Sequence, residues 1–296
     1  MNKTLVFVES FSIGDTVGAL PYIEKFVEVN SHENIDVSIN DRLIPILKDV
    51  YPTINFIGKN HDTVYEKILP LKYIFHKPLQ RGYAEQLGFF DTEYIRPKVT
   101  IPQMKRLIKG KYITIGVHST SQLKYWNHPL GRKSQEFSPY WNELCGMLRK
   151  SGYTPVVVEK DELFGVPPFK NGIPQKSNKK IGVSLIESMN LIYHSEFYIG
   201  LSSGMSWIAH AMGKPVVMIS NFTEDWNEFD LNTKDYIRVT NKNSCHGCFN
   251  KIGIEHKFES LDWYWCPLHK DTDREFECHK TITPQMVFDQ IKHWLK

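Results

Sequence analysis

The sequence predicts an α/β protein made of two βαβ blocks that face each other across a cleft, with a cysteine-bearing insertion near the carboxyl end. Three observations carry this expectation. Short apolar runs alternate with helical periodicity through the first hundred residues, and the alternation restarts at Lys111. Between them lies a proline-marked break, Arg96-Pro97-Lys98-Val99-Thr100-Ile101-Pro102. Four of the five cysteines fall between Cys245 and Cys278.

In the first block, Thr4 to Val8 reads as a strand, about Val17 to Val29 as a helix, Ile35 to Ile39 as a strand, Arg42 to Val50 as a helix and Ile54 to Ile57 as a strand. A further helical pattern covers Leu79 to Phe89. In the second block, strands are expected at Tyr112 to Val117, Thr154 to Val158, Phe197 to Ile199 and Pro215 to Ile219. Helices are expected at Pro139 to Lys150, Leu185 to His194 and Met205 to Met212, where Gly213 supplies the left-handed stop. Gly165 to Lys180 reads as a loop. After Asn221 the chain turns polar, aromatic and cysteine-rich. A last amphipathic helix starts behind Thr283, its N-cap, with Pro284 at the first helical position.

With 296 residues there is room for two domains of ordinary size, and 41% apolar against 23% charged residues is a globular balance that excludes long disorder. Thirty-six Lys and Arg against 33 Asp and Glu leave a net charge of +3, too weak to imply a nucleic-acid or membrane surface. No run of 18 apolar residues occurs, and Glu9 interrupts the apolar start before a signal sequence forms, so a cytoplasmic protein is expected. Five cysteines are too few for a disulfide scaffold.

Ligands of open α/β sheets bind beyond the carboxyl ends of the strands, and three such ends carry chemistry. Gly14-Asp15 follows the first strand, where Asp15 on a loop could act as a general base or simply cap the next helix. His118-Ser119-Thr120-Ser121-Gln122-Leu123-Lys124 leaves the strand that opens the second block, and Lys124 could pair with a diphosphate or be a solvated lysine. Gly200-Leu201-Ser202-Ser203-Gly204-Met205-Ser206 joins a strand to a helix, so its amides, hydroxyls and helix dipole suit a phosphate, or a plain tight turn. The same residues fit the G-x-S-x-G elbow of serine hydrolases, with Ser202 as nucleophile and Asp225, Asp230, His256 or His269 as partners, although an upstream His-Gly-Gly oxyanion motif is missing.

Cys245-His246-Gly247-Cys248, Cys266 and Cys278 together supply four thiolates, the closed set of one structural zinc or iron ion, and ligand type alone does not separate the two metals. Cys145 stands apart as a buried thiol. A nucleic-acid finger is disfavoured by the surplus of Asp and Glu between Cys245 and Cys278. Asp271-Thr272-Asp273 matches a D-x-D metal pattern only over three residues and reads as a polar turn.

Taken together, Gly14-Asp15 with Pro21, the stretch His118 to Trp126, the stretch Gly204 to Ile219, Glu228-Phe229, Cys245-x-x-Cys248, Asp262-Trp263-Tyr264-Trp265-Cys266-Pro267 and Phe276-Glu277-Cys278 resemble the bacterial autotransporter heptosyltransferases. These are relatives of the lipopolysaccharide heptosyltransferases with the GT-B fold of two Rossmann-like domains. The resemblance implies an acceptor-side domain at 1–108, a nucleotide-sugar domain at 109–282 that includes a four-cysteine metal finger at 243–280, and a terminal helix at 283–296. It implies inverting transfer of heptose from an ADP-activated donor to a hydroxyl acceptor, protein serine or glycan. Asp15 would be the base, Lys124 the donor-phosphate ligand, and Gly14, Ser121, Ser203, Gly204, Met205, Ser206 and Glu228 would bind substrate. Iron would sit on the four cysteines, with no catalytic divalent ion, no nucleic-acid partner and no membrane span, while self-association stays open. The amino-terminal half lacks room for extra acceptor-binding elements of longer enzymes.

Overall fold

A computed structural model describes residues 3–101, 104–119, 126, 139–164, 171–254 and 266–295. The first domain is a four-stranded parallel sheet, β1 (Lys3–Val8), β2 (Asn34–Ser38), β3 (Asn55–Ile57) and β4 (Lys67–Leu71), in the order β3-β2-β1-β4. Helices α1 (Ile13–Val29), α2 (Ile44–Leu47) and α3 (Leu79–Gln86) accompany it. Strand β4 was absent from the sequence expectation because Pro70 interrupts its apolar run. As an edge strand it pairs only with β1, so the missing amide costs no second ladder.

The second domain is a six-stranded parallel sheet in the order β12-β11-β10-β5-β6-β9. Its strands are β5 (Tyr112–Gly116), β6 (Thr154–Glu159), β9 (Asn178–Ile181), β10 (Tyr198–Leu201), β11 (Val216–Ile219) and β12 (Tyr236–Val239). A short antiparallel pair, β7 (Leu163–Phe164) with β8 (Asn171–Gly172), lies between β6 and β9. The helices are α4 (Pro139–Lys150), α5 (Leu185–His194), α6 (Gly204–Ala211), α7 (Glu277–Lys280) and α8 (Pro284–Ile291). Strands β9 and β12 also escaped the sequence reading. Asn178-Lys179-Lys180-Ile181 is polar because it forms an outer edge, where lysines discourage pairing with another chain.

Two cores organise these layers. One runs from the first sheet through α1 and α3 to residues of α5 and α6, including Trp207 and Ile208, and on to Phe229 and Tyr236, so it crosses from one domain into the other. The second lies on the opposite face of the six-stranded sheet, under α4 and α8. The terminal helix belongs to that core: Ile282, Val287 and Ile291 are fully buried in it, each worth about 1.5–3 kcal/mol of apolar burial. Its cap is the expected one, with Thr283 accepting the Met286 amide and Pro284 in the first turn. Gly213 likewise ends α6 at φ +77°, as expected.

Candidate active site

Each sheet has one point where strand order reverses, between β1 and β4 in the first domain and between β5 and β10 in the second. Their carboxyl ends meet. Helix α1 begins at Ile13, earlier than the sequence suggested, because the Ser12 hydroxyl accepts the Asp15 amide at 3.1 Å and caps it there. Gly14 and Asp15 therefore sit in the first helical turn, not on a loop as expected. Asp15 is half-buried, and its Oδ2 accepts a hydrogen bond from Ser10 Oγ at 2.7 Å.

The start of α1 packs on the start of α6. A Cβ on Gly14 would come within 2.9 Å of the Trp207 ring, and one on Gly204 within 2.9 Å of the Ile13 Cβ. Both glycines thus serve close helix approach, whatever else they bind. Ser203 is the N-cap of α6, yet its hydroxyl caps nothing and is buried against the Tyr198 side chain. Ser206 is fully buried and donates to the Leu201 carbonyl at 2.5 Å, while Met205 packs half-buried on the shared core. Lys124 and Ser121 lie outside the described residues.

Glu228 was expected to face the sugar nucleotide, but its side chain is only 2% exposed and paired with Arg238 Nη1 at 2.6 Å. Thr223 Oγ1 donates to the same carboxylate at 2.9 Å, and Arg238 Nη2 donates to the Thr223 carbonyl at 2.8 Å. Burial opposes the charge on Arg238, and the Glu228 carboxylate outweighs it, so the guanidinium is held even more firmly protonated than usual. Ser202 Oγ donates to Glu228 Oε1 at 2.6 Å. A serine that spends its proton on a buried, arginine-paired carboxylate is not the activated nucleophile of a hydrolase, so that alternative fails on geometry.

Polar contacts continue across the sheet edge. Ser119 Oγ donates to the Ser202 carbonyl at 3.3 Å, and the Val117 and His118 amides donate to Glu159 Oε1 at 2.8 and 2.9 Å. Burial pushes the Glu159 carboxyl up to about 7. On the first-domain side, desolvation and then the Glu228 and Asp15 carboxylates disfavour ionisation of the half-buried Tyr73, and desolvation with Asp15 does the same for the buried Tyr83, so their protons stay on. Sequence reasoning missed Arg238, Glu159, Tyr73 and Asn227. An arginine inside the short run Tyr236-Ile237-Arg238-Val239 is the one signal that was available.

Of the four cysteines, Cys248, Cys266 and Cys278 are buried and Cys245 is half-buried, and Cys248 and Cys266 share a small core with Phe222, Phe249 and Phe276. Burial pushes the Cys248 thiol up to about 12, with Cys245 and Cys266 adding to the shift, and Cys278 is raised by burial and by the other three. The thiols therefore sense one another electrostatically, and all are free of disulfides. Even so, among the described residues no three His, Cys, Asp or Glu side chains are arranged to hold a metal ion. The thiol set fits a metal by donor type, but the described residues do not bring it together as a metal site. Cys145 is the isolated buried thiol expected, with burial pushing its pKa up to about 12.

A cavity of about 510 Å³ lies apart from these strand ends, lined by the inter-domain linker at Val99 to Ile101 and Met104 and by Tyr193, His194 and Met212. It carries none of the chemistry above. Among the described residues no helix is long and apolar enough to cross a membrane.

No protein-family model matches the chain. Among curated proteins it is 30% identical over 303 residues to the autotransporter heptosyltransferase Aah of Escherichia coli, covering 97% of this chain and 73% of Aah. It is 31% identical over 303 residues to the autotransporter heptosyltransferase TibC of enterotoxigenic E. coli, covering 96% of this chain and 69% of TibC. A crystal structure of TibC, described as an iron-containing dodecameric glycosyltransferase, superposes with a TM-score of 0.85 over 99% of this chain and 78% of that one. The ADP-heptose lipopolysaccharide heptosyltransferase II of E. coli shares the fold at a TM-score of 0.61 and 12% identity, covering 100% of this chain and 98% of that one. Likeness over nearly the whole chain, in sequence and in the pairing of two parallel-sheet domains, places this protein in the autotransporter heptosyltransferase family.

Proposed function

We propose that this glycosyltransferase moves heptose from an ADP-heptose donor to a hydroxyl of an acceptor, a protein serine by preference over a glycan, with inversion at the anomeric carbon. The observation that carries the donor is the TibC structure in complex with ADP-D-β-D-heptose, to which this chain is 28% identical with a TM-score of 0.83. Asp15, in the first turn of α1 beside the start of α6, accepts the proton of the attacking hydroxyl. Lys124 and the amino-terminal amides of α6 around Ser203 and Gly204 receive the charge that develops on the departing diphosphate. Glu228, held by Arg238, fixes Ser202 and the turn that leads into α6, a supporting role behind the donor.

Cys245, Cys248, Cys266 and Cys278 would hold one structural metal ion, iron in preference to zinc because TibC is described as iron-containing. When bound, the ion ties the segment together and takes no part at the sugar. TibC is also described as dodecameric, which supports self-association here. Reduced thiols and a nucleotide-sugar donor both suit the cytoplasm.

The test is to incubate the purified protein with ADP-heptose and an autotransporter polypeptide and to read the acceptor by mass spectrometry. Addition of one heptose mass per modified serine is expected. An unmodified acceptor alongside intact donor would remove the reading.

A further inference from the structure

We propose that Asn250, two residues beyond Cys248, is a positioning residue that latches the cysteine segment to the amino-terminal domain and so fixes the helix that carries Asp15. Its kinetic consequence rests on the function proposed above. Asn250 is 6% exposed and uses its whole amide. Nδ2 donates to the Phe75 carbonyl at 2.6 Å and to Asn227 Oδ1 at 2.8 Å, and Oδ1 accepts the Glu224 amide at 2.7 Å. One side chain therefore joins three pieces of chain: the cysteine turn, the loop after β11, and the first-domain loop after β4.

The bonds on either side extend the latch. Tyr73 Oη donates to Asn227 Oδ1 at 2.8 Å, and the Asn227 carbonyl accepts the amide of Leu79, the first residue of α3, at 2.9 Å. Phe249 seals the joint, its ring centroid 5.2 Å from Tyr73 and 5.0 Å from Phe75. Helix α3 packs on α1, where Leu79 reaches Gly18, one turn beyond Asp15. The path from cysteine segment to base helix is thus contiguous, and the two amide side chains at its centre, Asn227 and Asn250, are buried, so their bonds are costly to lose. The order of the cysteine turn is thereby coupled to the placement of Asp15, although the turn itself takes no part in the proposed chemistry.

The test compares the parent with Asn250→Ala and Asn250→Asp, the latter keeping the acceptor for Glu224 while losing both donated bonds. Three measurements are made: metal content, hydrogen exchange of the amides from 73 to 79, and transfer kinetics. Both variants should keep the parental metal content. Exchange at 73–79 should quicken about tenfold, the effect of losing a buried hydrogen bond or two. Transfer kcat should fall by at least about tenfold while the donor KM stays within about twofold. Should Asn250→Ala fail to fold, Tyr73→Phe deletes one bond, keeps the ring, and should quicken the same amides. Parental exchange at 73–79 in the folded variants overturns the latch, and so does metal loss in step with activity, since Asn250 would then serve the metal site alone. A parent that transfers no heptose removes the proposed function but leaves the exchange result to decide the latch.

Discussion

Gly14 and Gly204 touch across the domain boundary: a Cβ on Gly14 would stand 3.4 Å from the Gly204 Cα, and one on Gly204 would stand 3.2 Å from the Gly14 nitrogen. The two helix termini that hold the expected base and the expected phosphate turn are therefore in backbone contact. No side chain fits between them. Gly204→Ala should meet the Ile13 Cβ, which is anchored to its backbone and cannot swing away, and should cost about 1–3 kcal/mol. Thermal unfolding should fall by roughly 2–4 °C per kcal/mol for a chain of this size. An unchanged midpoint would mean that the helices stand farther apart.

Glu228 and Arg238 form a buried pair, each side chain 2% exposed. Glu228→Leu leaves the buried guanidinium with only the half-buried Asp225, 3.3 Å from its Nε, and should cost about 3–5 kcal/mol, while adding Arg238→Met should recover a large part of that. Urea midpoints of the two single variants and the double variant check the coupling. Additive losses would show that the pair does not act as one.

His210 is fully buried in α6, stacked on Phe229 with ring centroids 4.2 Å apart, and neither ring nitrogen has a hydrogen-bond partner. Burial pushes its pKa down to about 3 from 6.5. The unfolded chain takes a proton below 6.5 that the folded chain refuses, so stability present above 6.5 is lost as pH falls toward 3, at about 1.4 kcal/mol per unit. Glu159 works in the opposite sense between 4.5 and about 7, because its folded form keeps a proton that the unfolded form releases. The difference between parent and His210→Leu isolates the histidine. Between pH 7 and pH 5 the parent should lose about 2 kcal/mol more than the variant in urea unfolding. Equal losses would mean that His210 is hydrated and titrates normally.

Substituting Ser at Cys248 or Cys278 should release the metal, because a hydroxyl does not replace a thiolate at a soft four-sulfur site. Elemental analysis should find one ion per chain in the parent and in Cys145→Ser, and none in the two site variants. Loss of metal from Cys145→Ser would show that the wrong four were chosen.

The two-block architecture was legible because most strands of a parallel sheet are buried on both faces and read as plain apolar runs, as in Val216-Val217-Met218-Ile219 and Tyr112-Ile113-Thr114-Ile115. Three strands that escaped, β4, β9 and β12, all lie at sheet edges, where proline, lysine and arginine are tolerated. Helix α1 starts earlier than its sequence suggests because Ile13-Gly14-Asp15 reads as a loop, while the bonds from the Asp15 amide to the Ser12 hydroxyl and from the Thr16 amide to the Ser12 carbonyl make it helical. Asp15, Gly204 and the four cysteines stood out by residue type and spacing. Arg238, Asn227 and Asn250 did not, since a polar residue that matters through a partner far away in sequence leaves no local signature. The loop residue Glu228 was identified, but its orientation was not, because its partner Arg238 lies on one of the missed strands.

The proposed role of Asp15 is to take the proton of the attacking hydroxyl. Asp15→Asn keeps the side chain's shape but cannot accept that proton. Donor binding is read as the thermal shift given by ADP-heptose, and transfer as heptose added to the acceptor by the same preparation. A parental thermal shift with transfer reduced by about 10² to 10⁴ is expected. Transfer at the parental rate would rule out that role and leave Asp15 as no more than an acidic residue in the first turn of α1.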